Sequence, residues 1–227
     1  MGIKIQSTKN SKTDNGIKIL LYGNSGAGKT FLTSTLEGKT IILSAEAGLL
    51  SLQGYDIDAI TINTFDELKE AYGYISGKEG EDYQNIVLDS LSEIAEVVLE
   101  NAKHSVKDAR MAYGEMAEKV VKIVKGFRDL QGKNVIMIAK LERAKDEITG
   151  SMLYTPSFPG AKLAQNLPYL FDEVLALRID KQDDETIRFL QTQADNQWSA
   201  KDRSGKLDQF EEANLSKIIS KIGAYIS

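Results

Sequence analysis

Cysteine is missing from all 227 residues. That excludes disulfides, thiolate zinc sites and cysteine nucleophiles, and it fits a reducing compartment such as the cytoplasm. One histidine, His104, leaves no basis for a His-rich metal site and argues against a Ser-His-Asp hydrolase. Long hydrophobic runs are missing too. None approaches the roughly 18 residues of a membrane span, and the chain starts polar rather than signal-like, so no membrane partner is expected. Basic charge is in short supply, with 28 Lys and Arg against 33 Asp and Glu for a net charge of −5. That argues against a generally basic coat for nucleic acid. What is there is 42% hydrophobic and 27% charged, an ordinary globular composition. The chain is long enough for one ample domain with a sheet between two helix layers.

The charge is unevenly spread. Between Lys103 and Lys145 there are 11 basic residues and 5 acidic ones, so the remainder holds 17 basic and 28 acidic. A reversal of this size marks either a binding face for an anionic polymer or a helix with a solvated lysine side.

The most specific segment is Gly23-Asn24-Ser25-Gly26-Ala27-Gly28-Lys29-Thr30, which spells G-x-x-x-x-G-K-[ST]. The apolar run from Ile17 to Tyr22 before it reads as a buried strand. Phe31 to Leu36 after it can continue a helix, which is the context a phosphate-binding loop requires. Glycines let the backbone wrap closely around a polyphosphate, so that N–H groups and the helix N-terminus point at negative oxygen. Residues 23 to 30 are therefore expected to bind ATP or GTP. Lys29 would reach the β- and γ-phosphates, and the Thr30 hydroxyl would ligate Mg²⁺.

The rest of the chain reads as an alternation of apolar strands and helices. Strands are expected at 40–44, 59–62, 85–89 and 135–139. Helices are expected at 65–75, opened by a Thr64 cap with Glu67 three residues on, and at 91–101 and 112–130. In the last of these Val120, Val121, Ile123, Val124 and Phe127 form the apolar face, with Lys119, Lys122 and Lys125 outward. The stretch from Lys140 to Ala161 holds two of the three prolines and reads as a long loop or small hairpin. Strands at 173–179 and 187–191 are expected to be antiparallel, and a helix at 215–226 closes the domain. This pattern implies a mostly parallel, three-layer α/β sheet over 17–227. Residues 1–16, polar with three lysines and no acid before Asp14, read as a flexible or oligomer-swapping arm.

Three further elements carry chemistry. Asp89 ends an apolar strand, where ligands of α/β sheets gather, and would hold the Mg²⁺ together with Thr30; alternatively Asp89-Ser90 caps the next helix. Glu46, just past the second strand, can orient and deprotonate the water that attacks the γ-phosphate, or it is a solvated loop acid, with Glu93 and Glu96 as the next candidates. Lys201 and Arg203 alternate around Asp202, so on a strand they share one side. Cations supplied to a neighbouring subunit's site neutralise charge in phosphoryl transfer. No N-K-x-D motif follows the strand ending at Ala139, which weakens a guanine-nucleotide reading.

Together these residues resemble the RecA-core ATPases. Within that group they look most like the small phage-encoded ATP-binding proteins that contain only the core and act in single-strand annealing and recombination. The resemblance rests on the phosphate loop, on the segment around Glu46, on Ile-Val-Leu-Asp89-Ser90, on the strand ending at Lys140 and on Ala-Lys201-Asp-Arg203-Ser-Gly. It implies Glu46 as the catalytic glutamate, Lys201 and Arg203 as cations inserted into the next subunit's ATP site, and a ring or filament of this chain. It also implies single-stranded DNA as partner, with a single-strand-binding protein as a further candidate. The family's two DNA loops map near Lys103–Tyr113 and Lys140–Lys162, the two ends of the basic stretch. Candidate phosphate contacts there are Lys103, Lys107, Arg110, Lys140, Arg143 and Lys145, and Tyr113, Tyr154 or Phe158 could stack on bases. RecA itself has a glutamine where this chain has Lys140, and the flanking domains of RecA are absent, so annealing or mediator activity is expected rather than strand exchange. A helicase-loader or other partner-remodelling ATPase is the alternative, and a small-molecule kinase with the 140–162 stretch as lid is a more distant one.

Overall fold

A computed structural model describes residues 16–223 apart from 47, 107, 146–149 and 183–184. The 1–16 arm (except Gly16) and Lys107 therefore lie outside the described residues. The sheet has ten strands, with backbone order β10-β8-β7-β1-β5-β4-β2-β3. The central members are β1 (Lys18–Gly23), β2 (Thr40–Ser44), β3 (Asp58–Thr61), β4 (Asn85–Asp89), β5 (Asn134–Lys145) and β7 (Glu173–Gln182), all mutually parallel. β1, β2 and β4 are buried along their whole length, which is why they read as unbroken apolar runs rather than alternating ones. Antiparallel strands follow: β8 (Glu185–Gln191) on β7, β10 (Phe210–Glu212) on β8, and the short β9 (Lys201–Asp202) on the start of β7.

Period-two alternation sends neighbouring strand residues into two separate cores. Ile19, Leu21, Ile42, Val87, Ile136 and Ile138 pack under α1 (Lys29–Leu32) and α6 (Leu215–Gly223). Leu20, Tyr22, Leu43, Leu88, Met137 and Ala139 pack under α2 (Phe65–Ser76), α3 (Leu91–Ser105), α4 (Ala109–Arg128) and α5 (Ala161–Asn166). The three-layer α/β expectation therefore holds. The layers are unequal, because only two of these helices cover the first face.

Local chemistry explains most boundaries. Thr64 and Glu67 form the expected reciprocal capping box at the start of α2. The helix expected after the phosphate loop is a single α-turn followed by a 3₁₀ turn at Thr33–Thr35. There Thr33, Ser34 and Thr35 each turn the hydroxyl back onto a carbonyl three residues earlier, which competes with helix propagation. The stretch after Lys140 is a hairpin rather than a loop. β5 continues six residues past Ala139 and pairs antiparallel with β6 (Met152–Ser157).

Candidate functional site

The phosphate loop leaves the C-terminal end of the central strand β1 and enters α1. Its glycines serve different needs. A Cβ at Gly23 would lie 2.6 Å from the Leu177 carbonyl oxygen, so this glycine is demanded by the approach of β7. Gly28 has φ +97°, a conformation that side-chain-bearing residues avoid. Asn24 O accepts from Ala27 N at 3.2 Å, closing the turn over Ser25 and Gly26. The Lys29 ammonium folds back on the carbonyls of Gly23 and Asn24, at 2.9 and 3.0 Å.

Around this loop the parallel register gathers residues from three other strand ends. The Thr30 hydroxyl donates to Asp89 Oδ2 at 2.6 Å. The Ser90 hydroxyl donates to Glu46 Oε1 at 2.6 Å while accepting from Glu93 N as the cap of α3. The two sequence readings of Asp89-Ser90 are thus divided between neighbours, with Ser90 capping and Asp89 facing Thr30. The loop carrying Glu46 is pinned by Ala45 N and Glu46 N on the Asp89 carbonyl, at 2.7 and 3.3 Å, and by the Ser44 hydroxyl on Glu46 O. Serine partners of this kind leave no spacing motif, so sequence reading had no signal for the Glu46–Ser90 bond.

Electrostatics fit a polyphosphate with a divalent cation. Burial holds the Lys29 ammonium below its ordinary value, and Lys140 pushes the same way, while Glu46 and Asp89 oppose. Burial raises the Asp89 carboxyl, with Glu46 adding to it and Thr30 and Lys29 opposing. Each group is thus desolvated in a way that a charge of opposite sign would relieve. Among the described residues no group of three or more His, Cys, Asp or Glu is arranged to hold a metal. Mg²⁺ would therefore rest on Thr30, Asp89 and phosphate oxygens, the sparse protein ligation usual for this ion. Beside α1, a cleft of about 340 Å³ is lined by Ile42, Leu49, Leu52, Tyr55, Ile57 and Ala59. The half-exposed rings of Phe31 and Tyr55 meet edge to face at 5.9 Å.

Lys140 stands at the edge of this cluster. It ends the buried part of β5, its ammonium pairs with Glu93, and its backbone N–H donates to Ser92 Oγ at 2.9 Å. Ser92 also donates to Ser157 O at 2.7 Å, so α3 clamps both strands at the root of the hairpin.

The other basic residues separate. Lys103 pairs with Glu100, Lys119 with Glu115 and Arg128 with Asp129. Lys133 is buried, donating to the carbonyls of Gly80, Glu81 and Tyr83. The local charge excess is therefore not one patch. Arg110, Arg143 and Lys145 remain exposed. A Cβ built at Gly160 would sit 3.4 Å from Tyr113 Cδ1, so the start of α4 lies against the segment that follows β6. Tyr113 is 44% exposed. Phe158, by contrast, is a core residue, and Tyr154 packs on Trp198 at 4.5 Å beneath Arg143. Neither ring is free to stack on a base.

Lys201 and Arg203 do share one side, both reaching the segment between α5 and β7. Lys201 Nζ donates to Pro168 O and Phe171 O at 2.9 and 2.6 Å; Arg203 bonds Asp172 Oδ1 and Tyr169 O at 3.0 and 3.1 Å. β9 pairs with β7 at Glu173 and Val174, whereas the phosphate loop starts level with Leu177. Three to four residues of strand, about 10–13 Å, plus a strand width separate them from their own loop, so they do not serve it in cis.

Under β9 lies an acid that sequence reading missed. Glu173 is 1% exposed, and its Oε2 has no hydrogen-bond partner among the described residues. Burial, reinforced by Asp202, pushes its carboxyl up from 4.5 to about 8. The folded chain then holds a proton that the unfolded chain releases, so this group makes stability fall as pH rises from about 4.5 to about 8. Glu173→Gln is expected to flatten that part of the melting-temperature profile and to raise the melting temperature at pH 9, measured by calorimetry. An unchanged profile would mean that Glu173 is ionised throughout.

A glycine loop joining the central strand to a helix, an acid at the tip of a strand two places away and a carboxylate after the next strand define a P-loop ATPase core. The chain matches the AAA domain family over residues 15–204, and it belongs to that family. Similar solved structures include a KaiC-like protein from the hyperthermophilic archaeon Pyrococcus horikoshii OT3, at 17% identity over 78% of this chain and 77% of that one, with a TM-score of 0.47. The RadB recombinase is another, at 16% identity over 78% of this chain and 80% of that one, with a TM-score of 0.45. No curated protein matches the chain. Among the described residues no helix is long and apolar enough to cross a membrane.

Proposed function

We propose that this protein hydrolyses ATP with Glu46 as general base, binds single-stranded DNA, and promotes annealing or recombination as an oligomer in the cytoplasm. The observation that supports hydrolysis most directly is the Ser90–Glu46 bond. It orients a half-buried carboxylate beside Lys29 and Asp89, and its second oxygen makes no hydrogen bond among the described residues. That oxygen can take a proton from a water aimed at the γ-phosphate. Lys29 exchanges its two carbonyl partners for phosphate oxygens, and the peptide N–H groups of the loop orient the chain of phosphates. Thr30 and Asp89 are the residues that would hold Mg²⁺, and the ion would supply charge neutralisation on the phosphate oxygens. The apolar surface of Phe31 and Tyr55 suits a purine base.

DNA contact is supported by the exposed Arg143 and Lys145 on the hairpin that extends β5, and by the exposed Arg110 and Tyr113 at the start of α4, which lies against the segment that follows β6. Ser92 and Lys140 tie that hairpin to the first turn of α3, next to Asp89, so the two sites share one rigid support. A kinase lid is disfavoured, because the hairpin is a paired extension of a central strand. Replacing Arg110, Arg143 and Lys145 together with Gln is expected to flatten the log-affinity against log-salt slope for single-stranded DNA by roughly 2 units, at about 0.7 per contact. Single-stranded DNA is expected to raise the ATPase rate of the wild type. An unchanged slope would move the DNA site elsewhere, and stimulation only by a small acceptor or a protein would favour a kinase or a partner-remodelling ATPase.

A further inference from the structure

No motif in the sequence singles out Arg188, yet it is the one side chain of the β7–β8 hairpin seen to bond the phosphate loop among the described residues. Alternation in β8 places it on the same side as Leu190, which is fully buried in the core beneath α1 and α6. Register carries it beyond the end of β1: Gly23 is level with Leu177, Leu177 with Leu190, and Ile179 with Arg188. Arg188 Nε donates to the Ala27 carbonyl at 3.1 Å. A Cβ built at Gly28 would lie 3.5 Å from Arg188 Nε and 3.9 Å from its Cδ, so the base of the guanidinium rests on that glycine. Among the described residues it makes no other hydrogen bond and no salt bridge.

We propose that Arg188 is a positioning residue of the nucleotide site, holding the Ala27–Gly28 peptide in the orientation that receives a polyphosphate. In a planar trans peptide the C=O and N–H point in opposite directions. With the Ala27 oxygen held outward by a cation, the Gly28 N–H is turned to the inner side of the loop, where phosphate oxygen lies. A charge-assisted bond on the carbonyl also polarises the same peptide and strengthens its N–H as a donor. The contact is with loop backbone rather than with nucleotide, so it serves any di- or triphosphate and makes no demand on base or sugar. This inference rests on residues 23–30 binding polyphosphate.

The test uses the full chain with R188A, R188Q and R188K, titrated calorimetrically with ATP, ADP and inorganic tripolyphosphate. R188A and R188Q are expected to weaken all three by a similar factor of about tenfold or more. R188K, which keeps a cation, should recover part of the loss. KM for ATP should rise while kcat at saturation stays near wild type, and the melting temperature without ligand should not move, because the side chain is exposed. Should R188A lower that temperature, the contrast of R188K with R188Q isolates the charge. Unchanged affinity for all three ligands would overturn the inference. So would a loss confined to ATP and ADP, which means a base or ribose contact, or one confined to ATP and tripolyphosphate, which means a γ-phosphate contact. A wild-type chain that binds none of the three would overturn the nucleotide reading itself, separately from any contrast among variants.

Discussion

Glu46→Gln is expected to bind ATP about as tightly as the wild type while steady-state turnover falls by roughly 10²- to 10⁴-fold. The amide oxygen of glutamine can still accept the Ser90 hydroxyl bond, so the loop after β2 keeps its anchor at Ser44 and at the Asp89 carbonyl. What the amide cannot do is take a proton. Lys29→Ala gives the opposite pattern, losing binding itself, because it removes the ammonium that would reach the phosphates. Parallel measurement of ATP affinity and phosphate release separates the two. Normal turnover in Glu46→Gln would exclude it as the base. Glu93 would then come first, since it is half-buried and already pairs with Lys140 beside the loop, whereas Glu96 lies one turn on and exposed.

Arg203→Ala is expected to lower kcat by roughly 10³-fold or more with little change in ATP affinity, if Arg203 completes a neighbour's site. The geometry makes this a sharp case. Arg203 is exposed and lies toward the opposite end of the sheet from its own phosphate loop, beside Tyr169, which is 75% exposed. A role of Arg203 at a nucleotide site would therefore be at another copy's site, in a heterologous contact of the kind that builds rings or filaments. Specific activity should then rise with protein concentration. A mixture of Lys29→Ala and Arg203→Ala chains should recover activity that neither has alone, because one retains the finger and the other the phosphate loop. Failure to complement, with turnover independent of concentration, would leave Arg203 as a clamp on Asp172 and the Tyr169 carbonyl.

The phosphate loop, the parallel sheet, the α2 capping box and the Asp89 strand end are all legible in the amino-acid sequence. Each is a local pattern: glycines at required spacing, apolar runs of strand length, Thr and Glu three residues apart. Long-range effects are not legible there. Uneven charge between Lys103 and Lys145 leaves open a binding face or a helix with a solvated lysine side, and only folding shows that Lys133 turns inward to three carbonyls and Lys140 pairs with Glu93. Phe158 reads as a loop aromatic and is core, because the chain after β6 drops back beneath α4.

By itself the sequence determined the class of chemistry, since a loop that cradles phosphate is written in consecutive residues whose backbone needs are set by glycine, lysine and threonine. Only the tertiary structure decided which groups stand around that loop. Ser90 on Glu46 and Arg188 on the Ala27 carbonyl join residues 44 and 161 positions apart. Lys140 beside Lys29 is equally remote in the chain, and the upward shift of the Glu173 carboxyl under β9 depends on burial. All of them follow from strand order and register, which arise from packing two apolar faces at once and are encoded at no single place in the chain.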